Sequence, residues 1–248
     1  MKSWGLITYL LPLFCLAGCV GVVQQEQKKR DAELLKAVTF EYGNWDAADV
    51  ARLLAAGAHV DARDERGCTP LLNAYGVGRD LFEDDPRQEE AAESLNLLLA
   101  AGADVQARTP EGFNAMDLAL CQYDNANLVR ILREKGVKAS KPEYELVWHA
   151  MHNHADEVRR LLAAGVSPDA HSADGWSAVW AAMPILNLKK CSEESLEILL
   201  KAGADTQELR YGEQSLLDSA EMFRGEEMSE AAVELLKQHG ATYHSRKE

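Results

Sequence analysis

Three histidines fall within six residues, His149, His152 and His154. Imidazole ligates metals and moves protons near neutral pH, and the i, i+3 pair His149 and His152 would share one face of a helix. The pair is read as having no carboxylate or thiol at ligand spacing beside it, so neither a metal site nor a cofactor is expected. The chain has no Gly-x-Ser-x-Gly, no phosphate-binding Gly-x-x-x-x-Gly-Lys loop and no cysteine–histidine pairing. Its carboxylates are spread over surface positions, and no catalytic group is expected. What remains is binding chemistry. Trp, Tyr and Arg are the side chains most often found as anchors of protein interfaces. Phe113 and Trp176 each follow a glycine, Trp180 stands one turn beyond Trp176, and Arg210 and Tyr211 are adjacent. With Arg63 and Arg66 they form the candidate partner-binding set.

A recurring motif must position these residues. Leu53-Leu54-Ala55-Ala56-Gly57 returns at Leu98 to Gly102 and at Leu161 to Gly165, with a near copy at Leu199 to Gly203. Looser copies run from Ile131 to Gly136 and from Leu235 to Gly240. Each reads as the last turn of a helix, closed by glycine where the chain must turn left-handed. The glycines are 45, 34, 29, 38 and 37 residues apart, a period that means one supersecondary unit stacked as a single array.

After the first motif the chain reads Gly57-Ala58-His59-Val60-Asp61-Ala62-Arg63-Asp64-Glu65-Arg66-Gly67-Cys68-Thr69-Pro70-Leu71-Leu72. This resembles the ankyrin repeat, whose finger opens Gly-Ala-Asp and whose helix opens Thr-Pro-Leu-His. Thr69 can cap a helix, Pro70 suits its first turn, and Gly67 suits the finger's hairpin turn. Leu72 stands where the family has His, and Asn114-Ala115-Met116-Asp117 is a degraded helix start. Asn153-His154 occupies the family's Gly-His position, Asn being the non-glycine residue most tolerant of left-handed backbone, so His154 reads as structural. The resemblance implies an all-α ankyrin-repeat solenoid of about six repeats over 31–243, with enlarged inter-helix turns near 76–88 and 183–193 and a tail at 244–248. It also implies a concave binding surface of fingers and inner helices, carrying Phe113, Trp176, Trp180, Arg210, Tyr211, Arg63 and Arg66.

The N-terminus is a separate matter. Met1-Lys2 is a positive start, Gly5 to Ala17 is apolar, and Leu16-Ala17-Gly18-Cys19 closes the run, the pattern of a secretory signal. The tetrapeptide resembles the bacterial lipobox. That implies cleavage of 1–18, diacylglycerol on Cys19 and acylation of the new N-terminus, an anchor of about 0.8 kcal/mol per buried methylene. Val20, rather than Asp, implies an outer-membrane destination facing the periplasm if the source is Gram-negative. An uncleaved span is the alternative, because the apolar stretch extended to Val23 almost reaches bilayer length. Residues 19–30 read as the lipidated cysteine and a short polar tether, whose last eleven residues reach at most about 36 Å. Cys68, Cys121 and Cys191 then remain, an odd number for an oxidising compartment. Repeats stand roughly 10 Å apart, and a disulfide needs Cα atoms within about 7 Å, so three free, mostly buried thiols are expected.

The chain has 26 basic and 40 acidic residues, a net charge of -14. That balance repels nucleic acid and favours a basic partner, and, spread along the chain, it also serves solubility. The expected function is a membrane-anchored, non-catalytic protein-binding module of the bacterial envelope. An immunity protein against an envelope-targeting toxin, a scaffold for envelope proteins and a small-ligand- or metal-binding accessory are the alternatives.

Overall fold

The computed structural model describes residues 7–38, 46–74, 87–121, 126–183, 193–210, 214–222 and 230–244, with side chains from residue 21 onward except at 87, 88 and 91. Tyr211, Cys191 and most of the insertions 76–88 and 183–193 lie outside the described residues. The chain forms two compact units, Met1–Val77 with Leu81–Gly112, and Gly78–Asp80 with Phe113–Glu248. Among the described residues each unit is all-α; two isolated bridges, His171 with Ser177 and Arg210 with Gln214, are the β pairing.

The first unit holds α1 (Ile7–Ala37), α2 (Ala47–Ala55), α3 (Pro70–Asn73) and α4 (Arg87–Ala100). Asp46 caps α2 by accepting from the amides of Ala48 and Asp49 at 2.9 and 3.1 Å, and α2 buries Ala47, Val50 and Leu53 along one stripe. Thr69 caps α3 through the Leu72 amide, with Pro70 in the first turn. The polar segment 20–30 is helical and continuous with the first repeat's inner helix. From Gln24 to Arg30 it contains only strong helix formers, and Gln27 ties the turns together, donating to Asp31 at 2.8 Å and accepting from Arg30 at 2.7 Å. Eleven residues therefore rise roughly 16 Å, less than half their extended reach. No described helix is long and apolar enough to cross a membrane.

The second unit holds α5 (Ala115–Ala119), α6 (Ala126–Glu134), α7 (Pro142–Met151), α8 (Ala155–Ala163), α9 (Ala178–Ala181), α10 (Glu194–Lys201), α11 (Leu216–Met222) and α12 (Glu230–Gln238). Its core gathers Leu146, Val158, Trp180, Met183, Leu196, Leu216 and Leu236 from successive helices. Within both units the expected ankyrin-type order of inner helix, outer helix and finger is the order observed among the described residues.

Every outer helix that carries the leucine–glycine motif ends in one hydrogen-bond pattern. The amide after the glycine donates to the carbonyl five residues back, from Ala58 to Leu53, Ala103 to Leu98, Val137 to Leu132, Val166 to Leu161, Ala204 to Leu199 and Ala241 to Leu236, all between 2.9 and 3.1 Å. The glycine amide bonds inside that loop, which makes a Schellman turn. Gly165, at φ 92°, has nothing within 4 Å of where a Cβ would stand, so backbone conformation rather than space selects glycine there. Asn153 is the non-glycine residue with positive φ, 53°. Its side chain also accepts from the Ser195 amide at 2.9 Å, a bond glycine could not make.

The fingers are stitched within each unit by carboxylates accepting backbone amides. Asp61 accepts from Asp104 at 2.9 Å, and Asp169 accepts from Asp205 at 2.6 Å. At the start of the array Asp31 does the same for His59 at 2.8 Å. The degraded helix start Asn114-Ala115-Met116-Asp117 keeps its function by other means. Asn114 and Asp117 form a reciprocal capping box, and the fully buried Asp117 also accepts the Ser140 amide of the next finger at 2.7 Å. Ser215 and Asp218 repeat the arrangement, with Asp218 accepting the His244 amide at 2.8 Å. Asp117→Ala strands two donors, the Asn114 and Ser140 amides. Urea unfolding should show a loss of roughly 2–4 kcal/mol, whereas a loss below about 1 kcal/mol would show that Asp117 does not hold the finger.

Candidate functional site

In the first unit the inner helix and first finger enclose an open cavity of about 750 Å³, lined by Lys28, Asp31, Ala32, Leu35, Lys36 and residues 62–66. It brings the finger arginines Arg63 and Arg66 together with two lysines of α1 that lie some 30 residues earlier. Two of the three acids in its wall, Asp31 and Asp64, are already hydrogen-bonded. Asp31 accepts from Gln27 and from the His59 amide and faces the His59 ring at 3.0 Å; burial would raise its pKa, but these bonds hold it below the usual carboxylate range. Asp64 is likewise held low against burial, by the amides of Cys68 and Arg66, the Asn73 side chain and the Arg66 charge. The guanidinium of Arg63 donates to the carbonyls of Gly67 and Arg108 and, among the described residues, meets no carboxylate, and Lys28 and Lys36 are exposed.

The second unit places the aromatic candidates. Phe113 is half-buried, edge-on to Tyr144 with centroids 6.3 Å apart, and Lys141 lies over the other ring at 5.6 Å. Trp176 is half-buried at the finger base, its amide bonded to the Ser172 hydroxyl at 2.9 Å. The Arg210 guanidinium lies on its face and sits 5.8 Å from the Trp180 ring. Trp180 belongs to the core, 5% exposed, with its indole N–H buried and unpartnered. The sequence set thus divides, with Trp176 and Arg210 together on the surface and Trp180 beneath them.

The histidines meet differently from the spacing argument. His149 is buried and its Nδ1 lies 3.1 Å from Nδ1 of His154, across the α7–α8 turn, while the His152 ring lies tilted against Trp148 with centroids 4.2 Å apart. The expectation of no carboxylate beside the pair is corrected. Glu145, one turn before His149, stands 3.5 Å from its Nε2 and is bonded to Arg133 at 2.5 Å. Burial would raise the Glu145 pKa, but the bonds from His149 and Arg133 hold it low. Arg133 also comes within 3.5 Å of His149 Nε2, so a fixed cation occupies the space a metal would need. Among the described residues no group of three or more His, Cys, Asp or Glu is placed to hold a metal.

Cys68 and Cys121 are free thiols, Cys68 buried and Cys121 half-buried. Burial and then the Asp174 charge push Cys121 up to about 12, and burial raises Cys68 as well. Neither is the exposed thiolate that nucleophilic chemistry requires.

Neither the family models nor the curated proteins give a match to this chain. Among solved structures it is similar to the human ASB11 ankyrin repeat domain, with 22% identity over 84% of this chain and 83% of that chain and a TM-score of 0.45.

His154 supplies a pH test. Its pKa is lowered by burial and by the nearby charges of His149, His152 and Arg133, so the unfolded chain takes up this proton first as pH falls. Stability is then fully present above the ordinary histidine value of 6.5 and is lost as pH drops below it. Urea midpoints measured between about pH 7.5 and 5 should fall with pH, and His154→Gln should flatten that slope. An unchanged slope in the variant would place the titration elsewhere.

Proposed function

We propose that this chain is a non-catalytic module that binds another protein through its fingers and inner helices, held at a bacterial envelope membrane by lipid on Cys19. The observation that carries the binding half is the pairing of Trp176 and Arg210. An indole and a guanidinium of the two types that most often dominate binding energy are pre-stacked on each other, half-buried rather than sealed, so part of the ordering a contact demands is already done. Phe113 follows its finger glycine as Trp176 does, and Arg63 and Arg66 tip the first finger. Tyr211, beside Arg210 in the chain, is included in the proposal from sequence. The immunity role is the second reading, favoured by the net charge of -14, which would speed encounter with a basic toxin.

Affinity capture from envelope extract, with the full chain as bait, tests the binding half. Trp176→Ala should weaken the main captured partner by tenfold or more, the range expected for a hot-spot tryptophan. Retention of every partner by both Trp176→Ala and Phe113→Ala would remove this surface from the proposal. For the anchor, Cys19→Ser should abolish labelling by a clickable fatty acid and move the protein out of the membrane fraction. A membrane fraction unchanged by that substitution would end the lipoprotein reading.

A further inference from the structure

We infer that the cavity of the first unit receives an acidic, extended segment of the partner protein, its carboxylates against Lys28, Lys36 and Arg63 and an apolar side chain on Ala32, Leu35 and Ala62; this rests on the protein-binding reading above. The charge at this place runs against the whole chain. The protein is strongly acidic, yet this cavity is lined by four cationic side chains, Lys28, Lys36, Arg63 and Arg66, against three carboxylates, Asp31, Asp64 and Glu65. Asp31 and Asp64, though ionised, are already held by backbone amides and neighbouring side chains. Among the described residues Lys28, Lys36 and Arg63 form no ion pair, and Glu65 is the lining acid that lies beside them. Unpaired cations around a partly apolar floor recognise carboxylates on a chain that also offers a side chain to bury.

The spacing sets the pattern of the segment. Lys28 and Lys36 are eight residues apart on α1, about 12 Å along the axis, and an extended chain covers that in about four residues. Carboxylates about four residues apart, with an apolar residue between them, therefore fit. Membrane phosphate is the other source of negative charge, and the geometry favours it less. Along an upright α1 the two lysines would stand roughly 14 and 25 Å beyond Cys19, whereas the headgroup layer is only about 5–8 Å deep on each side of the hydrocarbon. A partner that is basic overall satisfies both demands if it carries one such acidic stretch.

The test uses the full chain in detergent micelles and a short fluorescein-labelled peptide with two glutamates about four residues apart around a central leucine. Fluorescence anisotropy should show binding that weakens with added salt, and a twin peptide with lysines for glutamates should not bind. Lys28→Glu with Lys36→Glu should reduce affinity at least tenfold, and the milder Lys28→Gln with Lys36→Gln should give a smaller loss. Both lysines are exposed, so circular dichroism and the urea midpoint should not change. Equal binding of the two peptides, or an affinity indifferent to the substitutions, overturns the inference. So does binding to vesicles containing phosphatidylglycerol that the lysine substitutions abolish, if the glutamate peptide does not bind. Capture lost on Trp176→Ala would still stand after any of these failures, which separates this inference from the wider reading.

Discussion

The structure depends on how each outer helix is stopped. A helix end leaves carbonyls without partners, and here two amides from the departing chain return to satisfy them six times in the same way. The bond fixes direction as well as termination. It turns the chain at a buried leucine, so the residue that starts the finger, alanine or valine, is held against the same core. A stack of short helices has little margin for error in these angles, since none of α3, α5 or α9 exceeds five residues and helices this short are not stable alone. The outer helices and their stops hold the inner ones in place.

A second layer of order comes from aspartates that face the backbone instead of solvent. Asp31, Asp61, Asp169, Asp117 and Asp218 each accept an amide from another segment of their own unit. The 40 acidic residues of this chain repel one another. Placing carboxylates where amide donors converge turns part of that charge into attachment. The same device ties down two of the three carboxylates in the first unit's cavity, so scaffold and recognition surface share residues.

Much of the fold was legible because it is local. The glycine spacing, the Thr69-Pro70 helix start and the left-handed Asn153 all follow from residue types within a few positions of one another. The less visible features depend on partners far away in sequence. Asp117 looked like a lapse from the family pattern until the Ser140 amide was seen to meet it. His149 was grouped with His152 by helical spacing, but the turn at Asn153 delivers His154 to it instead. Glu145 stands one turn before His149, on the same helical face. The finger arginines were identified as candidates, while Lys28 and Lys36, in a segment read as a tether, were not. Only the unbroken course of α1 carries them to the finger.

That unbroken course has a mechanical meaning. The Gln27 amide grips Asp31 and the Gly57 carbonyl at once, so α1 is joined to the end of α2 through short polar bonds and cannot swivel against it without breaking them. Whatever holds α1 at Cys19 therefore steers the whole first unit, as a shaft steers the part keyed to it. Tension applied there would reach the first finger directly, through the Gln27 bonds to Asp31 and Gly57.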